Sequence, residues 1–237
     1  MPTALQPGFV LHRRPYSDSS LLLEIFTAEH GRLVLIARGV KGAKRTGAAQ
    51  AALLQPFQPL WLSWSGRGEV KTLTRAEAAG RALALTDTRL YCGLYVNELL
   101  MRLWPRQEGS EPLFLAYQMI LAALGREVVP EQSLRQFELS LLTAMGYELV
   151  LDRVVDGGIA VQPEEHYLLI PGQGLRRALA PGASSVSGET LHRLAQNAPL
   201  LEPRHRREAK RLLRQALAPH LGSKPLRSRE LFRKPDN

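Results

Sequence analysis

The stretch SLLLEIFTAEHGRLVLIAR, residues 20–38, decides the fold of the N-terminal part of the chain. It holds two apolar runs, Ser20–Thr27 and Arg32–Arg38, and the short segment between them ends in Gly31. Two short apolar runs on either side of a loop that contains glycine are typical of a β-hairpin. The stretch therefore predicts two antiparallel strands.

Three further apolar runs of the same kind flank this hairpin. One precedes it at Gly8–Arg13, and two follow it at Phe57–Trp64 and Glu69–Arg75. Pro56 and Pro59 restrict the beginning of the fourth run to a sheet edge or to the approach of a strand. Five short strands with the longest connection after the third are typical of a Greek-key barrel of OB type, and an SH3-like barrel is the nearest alternative.

The spacing of apolar residues changes from strand-like to helical after about residue 80. Helices are expected within residues 90–105, 113–125 and 133–146, with Ser133 as the N-cap of the third. Further helices are expected at Ser187–Gln196, Pro203–Leu217 and Ser228–Phe232. The segment 150–188 is rich in glycine and proline and shows one possible strand, Tyr167–Ile170.

These patterns predict an α+β protein of two domains. Residues 1–80 form an N-terminal five-stranded OB-fold β-barrel, and residues 81–237 form an α-helical domain. The helical domain is interrupted by an irregular insert at 150–188 that lacks a zinc site, because Cys92 is the only cysteine of the chain. Cysteine ligands therefore cannot build a structural zinc centre there.

Positive charge is in excess and is concentrated in two regions. The chain has 31 Lys and Arg against 22 Asp and Glu, a formal net charge of +9. Residues 1–80 carry ten basic and five acidic residues, and residues 202–237 carry eleven and four. Cations that are segregated in this way favour a polyanionic partner, either nucleic acid or an acidic protein tail.

Targeting signals and catalytic motifs are missing from the sequence. Met1–Arg14 has no apolar run of signal-peptide type, and no stretch approaches 18 apolar residues, so we expect a cytoplasmic protein without membrane contact. There is no Walker motif, no G-x-G-x-x-G and no G-x-S-x-G. The six histidines are scattered, and the one dense cluster, Glu164–His166, is more typical of a solvated acidic loop. The sequence therefore predicts a protein that is not an enzyme and holds no metal or cofactor.

Six cations of the N-terminal region are candidates for contact with DNA phosphates. Four of them lie within eight residues among glycines, where the backbone can approach a ligand closely, and two lie in the following hairpin. They are Arg38, Lys41, Lys44, Arg45, Arg67 and Lys71. Phe57, Trp61 and Trp64 are candidates for stacking on bases. Since Trp61 and Trp64 have opposite parity on one strand, at most one of them faces solvent.

The late helix carries a second basic surface. Its cations are accompanied by Glu208 as the one acidic residue, and they are Arg204, Arg206, Arg207, Lys210, Arg211 and Arg214. Charged helix faces are usually only solvated, but a face of one sign favours a polyanion or an acidic peptide.

Seven stretches of the chain, in order, resemble the RecO family of bacterial DNA repair and recombination mediators. None is diagnostic alone, but the ordered set is specific and spans residues 9–232. The stretches are FVLHRRPYSDSSLLL (9–23), GRLVLIARGVKG (31–42), LQPFQPL (54–60), GRGEVKTL (66–73), GLYVNELL (93–100), FELSLLTAMGY (137–147) and KPLRSRELF (224–232).

The resemblance implies an OB fold followed by a helical domain, and a role in DNA repair and recombination after DNA damage, at the bacterial nucleoid. It implies binding of single- and double-stranded DNA and annealing of complementary strands. It also implies partners: RecR, the acidic C-terminal tail of single-strand-binding protein, and indirectly RecA, which the RecFOR pathway loads onto covered strands. Many members carry a four-cysteine zinc site, so this chain resembles a zinc-free branch.

On this resemblance the six N-terminal cations are expected to form the DNA face. The acidic, apolar-ended tail of single-strand-binding protein needs an apolar pocket rimmed by cations. The residues expected to form it are Arg135, Leu139, Lys210, Arg211 and Arg214. Phe137, Leu141 and Met145 are expected to lie in the core. Two alternatives remain, an adaptor that binds mainly the acidic tail and an RNA-binding OB module.

Overall fold

The computed structural model describes residues 2–40, 45–126 and 130–232. Packing divides the chain into two compact units, Met1–Gly125 with Ser228–Asn237, and Arg126–Arg227. The helical region that the sequence treats as one domain, 81–237, is thus shared between the units, because its first two helices bury their apolar faces against the barrel.

Five strands of the first unit form a closed barrel in the order β1-β2-β3-β5-β4. The strands are β1 (Gln6–Pro15), β2 (Leu21–Thr27), β3 (Gly31–Ala37), β4 (Leu60–Ser65) and β5 (Val70–Ala78). Neighbours are antiparallel except for β3 and β5, which run parallel, and β1 closes the barrel against β4. The predicted OB-type barrel and the α+β class are confirmed.

Side chains that alternate along the strands fill the barrel with one apolar cluster. Leu23, Ile25 and Leu35 are fully buried within it, and Leu62 and Trp64 of β4 point to the same interior. Because successive side chains of a strand face opposite sides, Trp61 points outward. β4 begins directly after Pro59, as the proline pattern predicts.

A helix that the sequence patterns do not predict, α1 (Arg45–Leu53), lies between β3 and β4. The glycine-rich segment from Gly39 to Gly47, which the sequence suggests is a loop, therefore includes the start of a helix. The helix is alanine-rich, so it has helix propensity but no clear apolar stripe to reveal it. Its last turn is tied to β1, since Nη1 of Arg13 donates to the carbonyl oxygen of Ala51 at 2.8 Å.

Two long helices of the first unit pack on the outside of the barrel. They are α2 (Asp87–Leu103) and α3 (Glu111–Arg126). Phe9 and Phe26 of the barrel contact the rings of Phe114 and Tyr117, with centroids 5.2–5.8 Å apart. These aromatic contacts explain why part of the helical region belongs to the same unit as the barrel.

A buried polar network links both helices to β1. Nδ2 of Asn97 donates to the carbonyl oxygen of Leu11 at 2.8 Å, and the hydroxyl of Tyr117 donates to Oδ1 of Asn97 at 2.8 Å. Burial raises the pKa of Tyr117, so its hydroxyl remains a neutral donor. The amide of Asn97 thereby satisfies groups from two other elements within an apolar interface.

Two glycines let the β2–β3 turn pack closely against the segment after α2. Gly31 has φ of 59°, and a Cβ added to it would lie 1.8 Å from the carbonyl oxygen of Glu108. A Cβ on Gly109 would lie 2.1 Å from the carbonyl oxygen of Glu29. Because real Cβ atoms do not approach so closely, only glycine fits at either position. The predicted turn glycine therefore also serves a tertiary contact.

The second unit combines helices with a small antiparallel sheet. Its helices are α4 (Glu131–Ala144), α5 (Gly188–Ala195) and α6 (Pro203–Leu221). Its strands, in the order β7-β6-β8, are β6 (His166–Ile170), β7 (Gly174–Arg177) and β8 (Val186–Ser187). The expected strand at Tyr167–Ile170 is confirmed, and the segment 150–188 contains two further short strands, β7 and β8. The rest of the segment as far as residue 185 lies outside helices and strands. Its other strands escaped prediction because they are short and exist only through their pairing.

Two helix starts differ in how well the sequence predicted them. The helix expected to start at Ser187 does begin there, and Ser187 caps α5 with a side chain that accepts from the backbone N–H of Thr190. The prediction of Ser133 as the cap of α4 is wrong, because the helix already begins at Glu131 with Pro130 in the capping position. The last predicted helix is a 3₁₀ helix, Arg227–Phe232.

Candidate nucleic-acid interface

The predicted DNA-binding cations of the barrel lie along the β3–β5 pair. Arg38 is exposed directly after β3, and Arg67 is exposed in the turn between β4 and β5. Leu35 of β3 pairs with Lys71 of β5 in the parallel register. Arg38 and Arg67 therefore lie beyond opposite ends of this pair, roughly 20 Å apart at the rise of an extended strand. The two arginines therefore mark the two ends of a track along the β3–β5 pair and do not form a cluster.

Among the other four predicted cations, the structure describes the side chain of Lys71 alone. Nζ of Lys71 donates to the carbonyl oxygen of Gly68 at 3.0 Å, so this side chain braces the turn that carries Arg67. Arg45 is the first residue of α1, and its side chain lies outside the described residues. Lys41 and Lys44 also lie outside the described residues.

The sequence reasoning missed exposed residues at the end of β1. Pro15 pairs with Leu21, and Leu21 pairs with Ala37, so the ends of β1 and β3 meet at one edge of the barrel. Arg14 and Tyr16 are exposed at this edge, beside the position where Arg38 follows β3. The sequence pattern could have indicated this edge. When the first and third strands both pair antiparallel with the second, they run in the same direction and end at the same edge.

One of the three predicted stacking residues is accessible on the barrel. Trp61 is 42% exposed, whereas Trp64 is 2% exposed, which confirms that at most one of the two faces solvent. Phe57 is buried and its ring packs on Gly93 of α2, where an added Cβ would lie 2.8 Å from Cζ. Phe57 is thus a packing residue, not a stacking platform.

The helices cover part of the face by which OB folds commonly bind ligands, that of the second and third strands. Phe26 and Arg32 point outward there and are buried. Nη1 of Arg32 donates to the carbonyl oxygens of Leu100 and Met101 at the end of α2. Burial lowers the pKa of Arg32, and the nearby Glu24 opposes that change. The accessible candidate surface is therefore the edge with Arg14 and Arg38, together with the outer side of β4.

The predicted tail-binding residues of the second unit occupy unlike environments. Arg135 is only 5% exposed, and its Nη2 donates to Oε1 of Glu138 at 2.8 Å, so the expectation of an exposed rim cation is wrong. Its helix face could not be inferred from the sequence because its burial depends on what packs against α4. Leu139 is half-buried. Lys210 and Arg214 are exposed on α6, and Arg211 is half-buried.

A mostly apolar cleft of about 760 Å³ lies elsewhere in the second unit. It is bordered by Leu142 at the end of α4, by Ala216 of α6 and by strands β6 and β7. The guanidinium of Arg153 and the imidazole of His220 lie at its border. The five predicted tail-binding residues lie outside its lining, so the structure does not gather them around this cleft.

The part of the chain that the structure describes contains neither a cluster of metal-ligating side chains nor a helix that could span a membrane. Within residues 2–40, 45–126 and 130–232, no group of three or more His, Cys, Asp or Glu side chains is placed to hold a metal ion. No helix among these residues is long and apolar enough to cross a bilayer.

Two family models match nearly the whole chain. Residues 1–81 match the family model "Recombination protein O N terminal" and residues 87–230 match "Recombination protein O C terminal". The DNA repair protein RecO of Nitrosococcus oceani is 45% identical over 98% of this chain and 94% of its own. That of Methylococcus capsulatus is 46% identical over 97% and 93%. With its closed OB-type barrel and helical second part, the chain therefore belongs to the RecO family of DNA repair proteins.

Proposed function

We propose that the protein binds single- and double-stranded DNA without acting as an enzyme, and anneals complementary strands. With RecR it helps RecA to load onto strands covered by single-strand-binding protein, at the bacterial nucleoid. The DNA lies along the barrel edge that carries Arg14, Tyr16 and Arg38, and Lys41, Lys44 and Arg45, which follow Arg38 in the sequence, also contact its phosphates.

Membership of the RecO family is the observation that carries this proposal. The geometry adds support, since exposed cations border the barrel and can neutralise phosphates, while Trp61 offers an exposed aromatic face. OB folds hold single-stranded nucleic acid without sequence preference through cations along its backbone and exposed aromatic rings on which its bases stack.

The salt dependence of DNA binding tests the barrel surface. A variant with Lys41→Gln, Lys44→Gln and Arg45→Gln is expected to bind single-stranded DNA more weakly at low salt. The slope of log affinity against log salt should fall by up to about 2, at about 0.7 for each lost phosphate contact. Fluorescence anisotropy with a labelled oligonucleotide over a series of salt concentrations measures this slope.

The control removes the same charge from the second unit. It combines Arg153→Gln, Arg176→Gln and Arg193→Gln. In the wild type these arginines pair with Asp152, Asp156 and Glu189. An unchanged slope in the barrel variant, or an equal fall in the control, removes the 41–45 segment from the DNA surface. Annealing by the wild type without ATP or divalent metal separates the proposal from an enzyme. Competition between RNA and DNA of equal length separates it from an RNA-binding module.

Trp61 is expected to contribute stacking rather than charge. Trp61→Ala should weaken binding of single-stranded DNA by about tenfold, since stacking on an aromatic side chain contributes about 1–3 kcal/mol per base. The salt slope should stay unchanged, and Trp61→Phe should retain most of the affinity. Equal affinities of Trp61→Ala and the wild type across the salt series would contradict a stacking role.

The apolar cleft of about 760 Å³ favours a second candidate function, an adaptor for the acidic tail of single-strand-binding protein. Such a tail needs an apolar pocket for its end, and this cleft has the required lining. A labelled tail peptide should bind, and removal of its terminal apolar residues should abolish binding. If truncation changes nothing, the attraction is general electrostatics and the cleft is not a tail site.

A further inference from the structure

A second cleft of the second unit is small, polar and rich in arginine. It has a volume of about 420 Å³ and lies between the beginning of α6 and the turn that precedes β8. Arg204, Arg207 and Arg211 line it from α6, with Ser185 and His166 opposite. Residues from three separate segments of the chain thus converge on one cationic concavity.

Hydrogen bonds fix two of the three guanidinium groups in place. Nε of Arg204 donates to Oε1 of Glu208 at 2.9 Å, and its Nη2 lies 3.0 Å from Nε2 of His166. Nη2 of Arg211 donates to the carbonyl oxygen of Ser185. A guanidinium has five N–H donors, so both groups retain donors after making these bonds. Groups that are held in advance lose less conformational entropy when a ligand binds.

The carboxylate in the cleft is itself occupied. Oε2 of Glu208 accepts from the hydroxyls of Ser187 and Thr190, both at 2.6 Å, and from the N–H of Ser187 at 3.1 Å. Its other oxygen holds Arg204. Three guanidinium groups against one carboxylate leave the cleft with two positive charges in excess.

The cations of the cleft lie near the beginning of α6, where Glu202 is the N-cap residue. The first turn of α6 contains no acidic residue, and Arg204, Arg206 and Arg207 lie in its first two turns. The helix dipole is positive at this end, so it adds to the attraction of these arginines for a bound anion. Arg207 is exposed, so it can close on a ligand.

The lining favours a phosphate group over an acidic peptide with an apolar end. Apart from the arginines, Glu208 and the imidazole of His166, the cleft is formed by Ser185, Gly182 and Pro181, which offer little apolar surface. Guanidinium groups match the oxygens of phosphate through paired hydrogen bonds. Along α6 the cations continue from Arg207 to Arg214, roughly 10 Å at 1.5 Å per residue, which suits a chain of phosphates rather than a single ion.

We propose that this cleft binds a backbone phosphate of DNA and gives the second unit a nucleic-acid contact of its own. The inference rests on the proposed DNA-binding function and adds a site that is remote in sequence from the barrel. DNA that engages both units is bound through two linked contacts, so each strengthens the apparent affinity of the other.

Arg207→Gln in the full chain tests the site. We expect the slope of log affinity against log salt for single-stranded DNA to fall by about 0.7, the value for one phosphate contact. Arg207→Lys keeps the charge and should restore most of the slope. The control is Arg176→Gln, which removes another exposed cation of the same unit outside the cleft and should leave the slope unchanged. Thermal unfolding checks that every variant is folded.

The outcomes separate this site from the proposed function. A wild-type protein without salt-dependent DNA binding would overturn the proposed function. A steep wild-type slope that Arg207→Gln leaves unchanged overturns the cleft alone. Loss of acidic-peptide binding in Arg207→Gln, with an unchanged DNA slope, assigns the cleft to a protein partner and also overturns the inference.

Discussion

Replacement of Asn97 by alanine is expected to lower the free energy of unfolding of the first unit by about 3 kcal/mol. The change removes the groups that satisfy the Leu11 carbonyl and the Tyr117 hydroxyl, and both are buried. A buried polar group without a partner costs about 1–3 kcal/mol, and the lost side chain also leaves a small cavity. Urea-induced unfolding, with equilibrium constants taken at neutral pH, measures the loss.

A double-mutant cycle isolates the link between α2 and α3. Tyr117→Phe should cost about 1–2 kcal/mol, since it leaves Oδ1 of Asn97 unpaired. The double variant should cost less than the sum of the two single variants, because residues in contact are coupled. Strict additivity would show that the two side chains do not stabilise one another. A loss below about 0.5 kcal/mol for Asn97→Ala is typical of surface changes and would contradict the network.

The stability of the second unit is expected to fall as the pH drops below about 4.5, because Glu208 must then take up a proton. Burial alone would raise the pKa of this carboxyl. Hydrogen bonds from Ser187, Thr190 and Arg204 outweigh burial and lower the pKa to about 2. The lowered pKa means that the stabilisation is fully present above the ordinary value of 4.5 and is lost as pH falls towards 2. The difference corresponds to about 3 kcal/mol.

Glu208→Gln is the decisive variant for this pH dependence. It should lower the stability of the second unit by about 3 kcal/mol at neutral pH and flatten the decline between pH 4.5 and 2. Glu189→Gln is the matched control, since this carboxylate pairs with Arg193 at the surface and should contribute less than about 1 kcal/mol. Hydrogen exchange of the backbone amides in β8 and α5 measures the stability of this unit. The same decline in Glu208→Gln and in the wild type would contradict the assignment.

Much of the barrel could be predicted from the sequence because its information is local. Strand alternation predicted that Trp61 and Trp64 face opposite sides, and a glycine at the end of a short loop predicted the turn at Gly31. Helix α1 was missed because alanines give propensity without an apolar stripe. Strands β7 and β8 were missed because such short strands depend on pairing with another strand, which no local pattern predicts.

The candidate sites depended less on local pattern. Arg38 and Arg67 are exposed as expected, but only the parallel pairing of β3 with β5 shows that they lie at opposite ends of a track. Arg135 looked like a surface cation, yet its environment is set by what packs on α4. The basic cleft joins residues from near 166, 185 and 207, which are brought together by folding alone.

By itself, the sequence determined the OB-type barrel, most of the helices after residue 80, the segregation of positive charge and the membership in the RecO family, since periodicity, composition and ordered motifs are properties of the chain. Only the tertiary structure decided which cations face solvent, which aromatic ring remains exposed and where a cleft forms. Burial and convergence arise from contacts between residues far apart in sequence, and no local pattern carries that information.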